Sequence, residues 1–305
     1  MSDDPSRSGH PLADRRAAYA EDYYRGGDAA AAADLMRQAL ELAPGWTLGR
    51  TRLAAFQEAA GDRDEAVASL QAARTLDEDG RYGTPLALAR LGAAPLPDAA
   101  PPAYVEALFD SYAERFERAL VDKLGYRGPD LLIEDLSAAR SPLAFSAALD
   151  LGCGTGLMGE RLRPFVGRLD GIDLSTAMLA KAEAKGIYDN LTAGDILDAS
   201  LEWTGAYDLA TAADVLIYIG DLGPVFTSLA RRLRPGGLFA FTVETHEGAA
   251  SFALQPSLRF AHAPQALGRT MAAAGFDALR ERPIVIRKDR GEDLPGLSVI
   301  AALRS

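Results

Sequence analysis

From residue 145 onward, short apolar runs alternate with helical segments, and this alternation constrains the fold more than any other feature of the chain. Runs at 145–151, 168–173, 190–193, 206–213 and 237–245 read as strands, with helices between them, for example at 176–185 and 222–234. Strand and helix in repetition require right-handed crossovers, hence a parallel sheet covered on both faces. Two further runs, 283–288 and 296–303, are joined by the polar stretch Asp289-Arg290-Gly291-Glu292-Asp293, which leaves no room for a helix. They must pair antiparallel, as a hairpin at one edge. The expected class is α/β, with seven strands, six parallel and the last antiparallel, behind an all-α region.

That all-α region repeats itself. Residues 1–12 are polar and read as a frayed end. Beyond them Gly27-Asp28 recurs as Gly61-Asp62, Ala32 as Ala66, Met36 as Leu70 and Ala39 as Ala73, each 34 residues later. The period and the small-residue positions resemble a pair of tetratricopeptide repeats over 13–91. Tyr23 and Pro44 hold the expected tyrosine and proline places in the first copy, where the second has Gln57 and Glu78. Leu86-Ala87-Leu88-Ala89 reads as a capping helix, and two repeats are few enough that they should pack on another domain, subunit or protein partner. Residues 92–102, with four prolines, break every periodicity and read as a linker, so that a second domain occupies 103–305.

Charge and cysteine usage narrow the function. With 43 acidic and 32 basic residues the net charge is −11, which disfavours a nucleic-acid substrate. The single cysteine, Cys153, permits neither an internal disulfide nor a thiolate metal cluster. The first residues have no apolar core of a signal peptide, and no apolar run reaches the ~18 residues of a membrane span, so the chain reads as cytoplasmic.

Chemistry concentrates at the ends of the expected strands. The first strand runs through Asp150 into Gly152-Cys153-Gly154-Thr155-Gly156, a tight turn that lets a ligand approach the backbone and leads into a helix with unpaired N–H groups. Its G-x-G-x-G spacing differs from the G-x-G-x-x-G of pyrophosphate binders. The second strand ends in Gly171-Ile172-Asp173, where a carboxylate can accept from both hydroxyls of a ribose. After the third come Gly194-Asp195-Ile196, a carboxylate for an exocyclic adenine amine and an aliphatic cover for the ring. The fourth leads into Ala213-Asp214-Val215-Leu216-Ile217-Tyr218, and Arg234-Pro235-Gly236-Gly237 precedes the fifth.

In this order and spacing, the motifs resemble those of class I S-adenosylmethionine-dependent methyltransferases, over about residues 103–305. The resemblance implies a Rossmann-like fold, S-adenosylmethionine as cofactor, and cofactor contacts from Tyr112, Asp150, Gly152, Gly154, Gly156, Asp173, Leu174, Met178, Asp195, Ile196 and Ala213. Met178 would cover the second adenine face and Tyr112 would reach the methionine carboxylate. The apolar helical pattern Val105, Leu108, Phe109, Tyr112, Phe116, Leu120 and Leu124 then becomes a lid. Together with the repeats and the segment 257–262, this helix resembles a bacterial group of repeat-containing methyltransferases.

On the acceptor side, the expected catalytic residues are His262, His246 and Tyr218, the histidines as general bases, with Arg259, Tyr218 and Glu244 as substrate contacts and Arg259 anchoring an anion. No metal is expected: Asp214 and Asp221 read as cap and surface residues. The acceptor is expected to be a small molecule, or a carrier- or protein-bound group, methylated on oxygen or nitrogen. Two other functions compete: a repeat-mediated partner-binding protein with a regulatory cofactor domain, and a nicotinamide oxidoreductase, which the glycine spacing disfavours.

Overall fold

The computed structural model describes residues 7–113, 126–198, 206–289 and 292–305. The chain divides into two compact units, Met1–Pro97 and Asp98–Ser305. Among the described residues no helix is long and apolar enough to cross a membrane.

The first unit is helical: α1 (Pro11–Arg25), α2 (Ala29–Leu42), α3 (Thr47–Ala60), α4 (Arg63–Arg74) and α5 (Thr84–Arg90), each packed on the next. Its core is built largely from alanine, with Ala13, Ala17 and Ala20 of α1 against Ala32, Met36 and Ala39 of α2 and Phe56 of α3. Side chains this small let helix axes approach closely. The positions that recur in sequence recur in space: Ala32 and Ala66, Met36 and Leu70, and Ala39 and Ala73 are all buried. Both glycines of the repeated Gly-Asp pair are left-handed, with φ of 89° at Gly27 and 92° at Gly61.

In the second unit, α6 (Pro102–Tyr112) and α7 (Gly128–Ala139) precede β1 (Phe145–Leu151), α8 (Leu157–Leu162), β2 (Val166–Asp173), α9 (Thr176–Lys185), β3 (Asn190–Ala193), β4 (Tyr207–Ala212) and α10 (Gly223–Ala230). There follow β5 (Leu233–Thr245), β6 (Phe252–Leu254), β7 (Phe260–His262), α11 (Pro264–Ala273), β8 (Phe276–Asp289) and β9 (Glu292–Leu303). Strands β3, β2, β1, β4 and β5 lie side by side in that order, all parallel. Strand β9 then pairs antiparallel with β5, and β8 antiparallel with β9. Residues 114–124 of the expected lid helix, Phe116 among them, lie outside the described residues.

The sheet has nine described strands, not the expected seven. The two additions, β6 and β7, lie in the stretch after β5 and have three residues each, too short for any alternation to show in sequence. Glu244 and Thr245 of β5 pair with Ala261 and His262, while Glu244 also pairs with Gly296 of β9. Strand β7 therefore takes the β4 edge of β5, beyond the point where β4 ends. Strand β5 also begins earlier than the expected residue 237. Leu233 pairs with Tyr207, and the Pro235-Gly236-Gly237 turn is absorbed as an irregularity before Leu238 pairs with Leu209.

Both faces of the sheet are buried, which is why its strands read as continuous apolar runs. Leu149 and Leu151 pack toward α10 and α11, whereas Ala148 packs toward Leu132 and Leu136 of α7 and Met158 and Leu162 of α8. On the first face Phe226 of α10 lies 5.7, 5.6 and 5.7 Å, ring centre to ring centre, from Phe239, Phe241 and Phe276. Phe226 is fully buried. Phe226→Ala should therefore cost about 3–5 kcal/mol. Urea unfolding followed by tryptophan fluorescence and circular dichroism checks this, the expected result being a lowered midpoint with an unchanged slope.

Candidate active site

The strand order changes direction at β1: β2 and β3 lie to one side, β4 and β5 to the other. In open α/β sheets the loops leaving the strands at such a point part and leave a crevice. Here it is a cavity of about 340 Å³, bounded by residues that follow β1, β2, β3 and β4 and by α6.

The floor is the glycine turn. Gly152 is left-handed (φ 58°), and a Cβ on it would lie 2.5 Å from a methyl of Val215, so both its conformation and its space require glycine. Gly154 is also left-handed (φ 54°), but a Cβ there would meet nothing within 4 Å, and it borders the cavity. Gly156 does not border it; its added Cβ would meet the Tyr188 ring at 3.2 Å.

Asp150 lies behind the turn rather than in the cavity lining. It is 1% exposed and accepts hydrogen bonds from Tyr188 Oη and Thr211 Oγ1, each at 2.7 Å. Burial pushes its carboxyl up to about 6 despite those donors. Cys153 is buried beside it, and burial raises the thiol well above its ordinary value, removing it as a nucleophile. Met178 is likewise absent from the lining: it is fully buried, and its N–H donates to Ser175 Oγ at 3.1 Å.

Asp173, Leu174, Asp195, Ile196 and Ala213 all line the cavity. Asp173 Oδ2 accepts from Gly154 N–H and Oδ1 from Ser175 N–H, both at 2.8 Å. A carboxylate has about four acceptor positions, so acceptor capacity remains for a ligand. Burial raises the Asp173 carboxyl, the N–H groups of Ser175, Gly154 and Leu174 oppose it, and the neighbouring Asp110 adds to it. Asp195 Oδ1 accepts from Leu197 N–H at 2.9 Å.

The cover comes from α6, which brings Val105, Leu108, Phe109 and Tyr112 to the cavity, with Phe109 edge-on to Tyr218 at 5.6 Å. The last residues of the stretch read as a linker join this cover. Asp98 O accepts from Gly220 N–H (2.7 Å) and Asp221 N–H (2.9 Å), and Ala100 N–H donates to Tyr218 O (2.8 Å), so that Ala99 and Ala100 line the cavity. A run of prolines and alanines carries no sequence signal for such pairing. Tyr126 and Asp214 also line the cavity and were not assigned to it from sequence. Asp214 is left-handed (φ 62°), unusual outside glycine, and its N–H donates to Thr242 Oγ1 at 2.9 Å.

Of the expected acceptor-side residues, Tyr218 and Arg259 line the cavity; Glu244, His246 and His262 do not. Burial works against the Arg259 charge, but Tyr218, Asp214 and Glu244 outweigh it and hold the guanidinium above its ordinary value. Glu244 is buried at the end of β5 and acts on that charge from behind. His246 is half-buried, and its Nδ1 accepts from Gly248 N–H at 3.0 Å, capping the turn after β5. His262 is 3% exposed, and its Nε2 lies 3.0 Å from Ile219 O. A carbonyl only accepts, so Nε2 carries the proton. Burial pushes the His262 pKa down to about 4, which with its position removes it as a general base. Among the described residues no three His, Cys, Asp or Glu side chains are grouped to hold a metal ion.

Residues 149–241 match the family described as methyltransferase domain. The fold extends beyond that segment. The N-methyltransferase NodS of Bradyrhizobium japonicum WM9, solved in complex with S-adenosyl-L-homocysteine, aligns over 66% of this chain and 99% of its own, with a TM-score of 0.53 and 17% identity. The second unit has the class I S-adenosylmethionine-dependent methyltransferase fold. In sequence, the chain is 32% identical over 134 residues to malonyl-acyl-carrier-protein O-methyltransferase of Pseudescherichia vulneris, covering 44% of this chain and 48% of that protein. It is 31% identical over 125 residues to ubiquinone biosynthesis O-methyltransferase of Xanthomonas oryzae pv. oryzae, covering 39% and 52%. The chain thus spans about half the length of the curated relatives it matches.

His262 gives the fold a measurable acid sensitivity. Folded, it stays neutral down to about pH 4; unfolded, it takes up a proton near 6.5. Between these values the unfolded state binds more protons, so stability is complete above about pH 6.5 and falls as pH drops toward 4, by roughly 3 kcal/mol. Asp150, raised to about 6, acts in the opposite sense over part of the same window. The His262 share is therefore the difference between wild type and His262→Gln, whose amide can still donate to Ile219 O. Urea unfolding at pH 7 and pH 4.5 should show wild type losing about 2–3 kcal/mol more than the variant.

Proposed function

We propose that this protein is an S-adenosylmethionine-dependent methyltransferase acting on an oxygen or nitrogen of a small-molecule or carrier- or protein-bound acceptor. The observation that carries the reading is the pairing of an open glycine turn at Gly154 with the carboxylates Asp173 and Asp195 on one cavity wall. Acidic groups there favour a cationic, phosphate-free adenosine ligand and would repel a pyrophosphate. The donor set fits the ligand. Asp173 keeps acceptor capacity for ribose hydroxyls, Asp195 faces the adenine amine, Ile196 covers the ring, and Leu174 and Ala213 complete the wall. Gly152 and Gly154 admit the methionine portion, toward which Tyr112 extends from α6.

Bound there, S-adenosylmethionine supplies a methyl group on a positively charged sulfur. The protein's contribution to transfer is alignment of the acceptor and exclusion of water, which can supply much of the acceleration in such a displacement. The cover formed by Ala99, Ala100, Val105 and Phe109 excludes water, and Tyr218 and Arg259 provide the polar end at which the acceptor is oriented. Arg259 is already balanced by Asp214 and Glu244. It therefore serves better as a hydrogen-bond donor that orients the acceptor than as an uncompensated anion trap. With His246 and His262 outside the cavity, Asp214 is a lining carboxylate that can take a proton from an acceptor that carries one.

For the first unit, the buried 34-residue recurrence favours a pair of tetratricopeptide-like repeats that engage a protein partner or carrier.

Titration calorimetry separates the cofactor readings. S-adenosylmethionine should bind and NADH should not, and Asp173→Ala should weaken S-adenosylmethionine binding by about 10- to 100-fold through loss of two hydrogen bonds to a charged acceptor. NADH binding without S-adenosylmethionine binding would overturn the reading. Incubation with methyl-labelled S-adenosylmethionine and size-fractionated lysate should place label in an acceptor fraction for wild type and not for Arg259→Ala, with cofactor affinity preserved in that variant.

A further inference from the structure

A continuous chain of hydrogen bonds joins the helix above the cavity to the turn beneath it. Gly154 N–H donates to Asp173 Oδ2 and Ser175 N–H to Asp173 Oδ1, both at 2.8 Å, while Ser175 Oγ lies 2.5 Å from Asp110 Oδ1 on α6. Ser175 is fully buried, and its Oγ already accepts from Met178 N–H at 3.1 Å. A hydroxyl has one proton to donate, so that of Ser175 is committed to Asp110.

Two features make this link matter to α6. None of its described residues is fully buried, and two of the contacts that seat it are Asp110 to Ser175 and Phe109 to Tyr218. The link also brings a second carboxylate close to Asp173, and the two repel: Asp110 is among the groups that raise the Asp173 carboxyl. Repulsion between carboxylates opposes docking of α6 unless donors spread the charge on Asp173. Ligand hydroxyls are such donors.

We propose that Asp110, acting through Ser175, is a positioning residue that couples the seating of α6 to occupation of Asp173 by a ribose. The proposal rests on the assignment of Asp173 to the cofactor ribose. Ligand bound to Asp173 relieves the repulsion and holds α6 down; α6 held down by Asp110 closes the cavity over the ligand. Because coupling between two sites is reciprocal, loss of either partner must weaken the other by the same factor. The residue touches neither cofactor nor acceptor, and its effect is on the population of the closed helix.

Hydrogen exchange of residues 102–112, measured with and without S-adenosylhomocysteine, tests this alongside calorimetry with the same ligand. In wild type the ligand should slow exchange across 102–112. In Asp110→Ala that segment should exchange faster without ligand, ligand should no longer protect it, and Kd should rise about tenfold, the scale of one charge-assisted hydrogen bond. Asp110→Asn, whose amide oxygen still accepts from Ser175, should keep Kd within about threefold of wild type and retain the protection. Wild-type exchange and affinity in Asp110→Ala, or ligand protection of 102–112 that persists in it, would overturn the proposal. If wild type itself does not bind S-adenosylhomocysteine, the cofactor reading fails instead. Exchange of the free protein then still decides the link, since an Asp110→Ala variant with unchanged exchange at 102–112 refutes it.

Discussion

The second unit is arranged around a carboxylate that lies behind the cavity lining. Asp150, at the end of β1, takes one hydroxyl from Thr211 on the adjacent β4 and another from Tyr188, just before β3. The three segments that frame the glycine turn are thereby tied to one buried group. Such a group is costly to bury without partners and specifying when they are present. Its effect extends to the glycines nearby. A Cβ at Gly159 would lie 2.3 Å from the Tyr188 hydroxyl, and one at Gly171 would lie 3.0 Å from the Tyr188 ring and 3.0 Å from Cys153 Sγ. These glycines make room for a tyrosine, whereas Gly152 and Gly154 shape the turn where a ligand can approach.

The cavity wall has an electrostatic asymmetry that follows from its construction. Asp173, Asp195 and Asp214 stand at the ends of three successive strands, and among the described residues the one arginine in the lining, Arg259, reaches in from the turn between β6 and β7. Those two short strands are present because β5 outruns β4, leaving the end of its edge open for β7 to pair. An irregular stretch of chain thus acquires a defined place beside the cavity, and with it Arg259 meets Tyr218 and Asp214. Backbone pairing at Glu244 and Thr245 is what carries a residue from an insertion into the candidate acceptor end.

Much of the architecture was legible from sequence because its signals are local. Apolar runs of strand length, glycine at alternate turn positions and a polar connection too short for a helix each act within a few residues, and they led to the parallel sheet, the edge hairpin and the cavity-facing Asp173, Asp195 and Ile196. The less legible elements were those whose partners are distant. Residues 98–100 read as a linker because alanine and proline carry no mark of the backbone pairing with Tyr218, Gly220 and Asp221. His262 read as a base because a histidine after a strand looks the same whether it faces a cavity or, as here, the Ile219 carbonyl. Met178 sits at the right distance in sequence from Asp173, but the first turn of α9 directs it into the core.

The sequence by itself therefore determined the class of fold, the crevice at the point where strand order reverses, and the acidic character of its wall. Those depend on periodicity and on residues fixed to strand ends, and neither needs a distant partner. Tertiary structure alone decided which of the other candidate residues face the cavity. It turned Asp150 and Met178 inward, withdrew both histidines, gave Tyr218 and Arg259 a common place, and joined Asp110 to Asp173 through Ser175. The physical reason is that a polar side chain settles wherever its hydrogen bonds are met, and in a folded chain those partners come from segments remote in sequence.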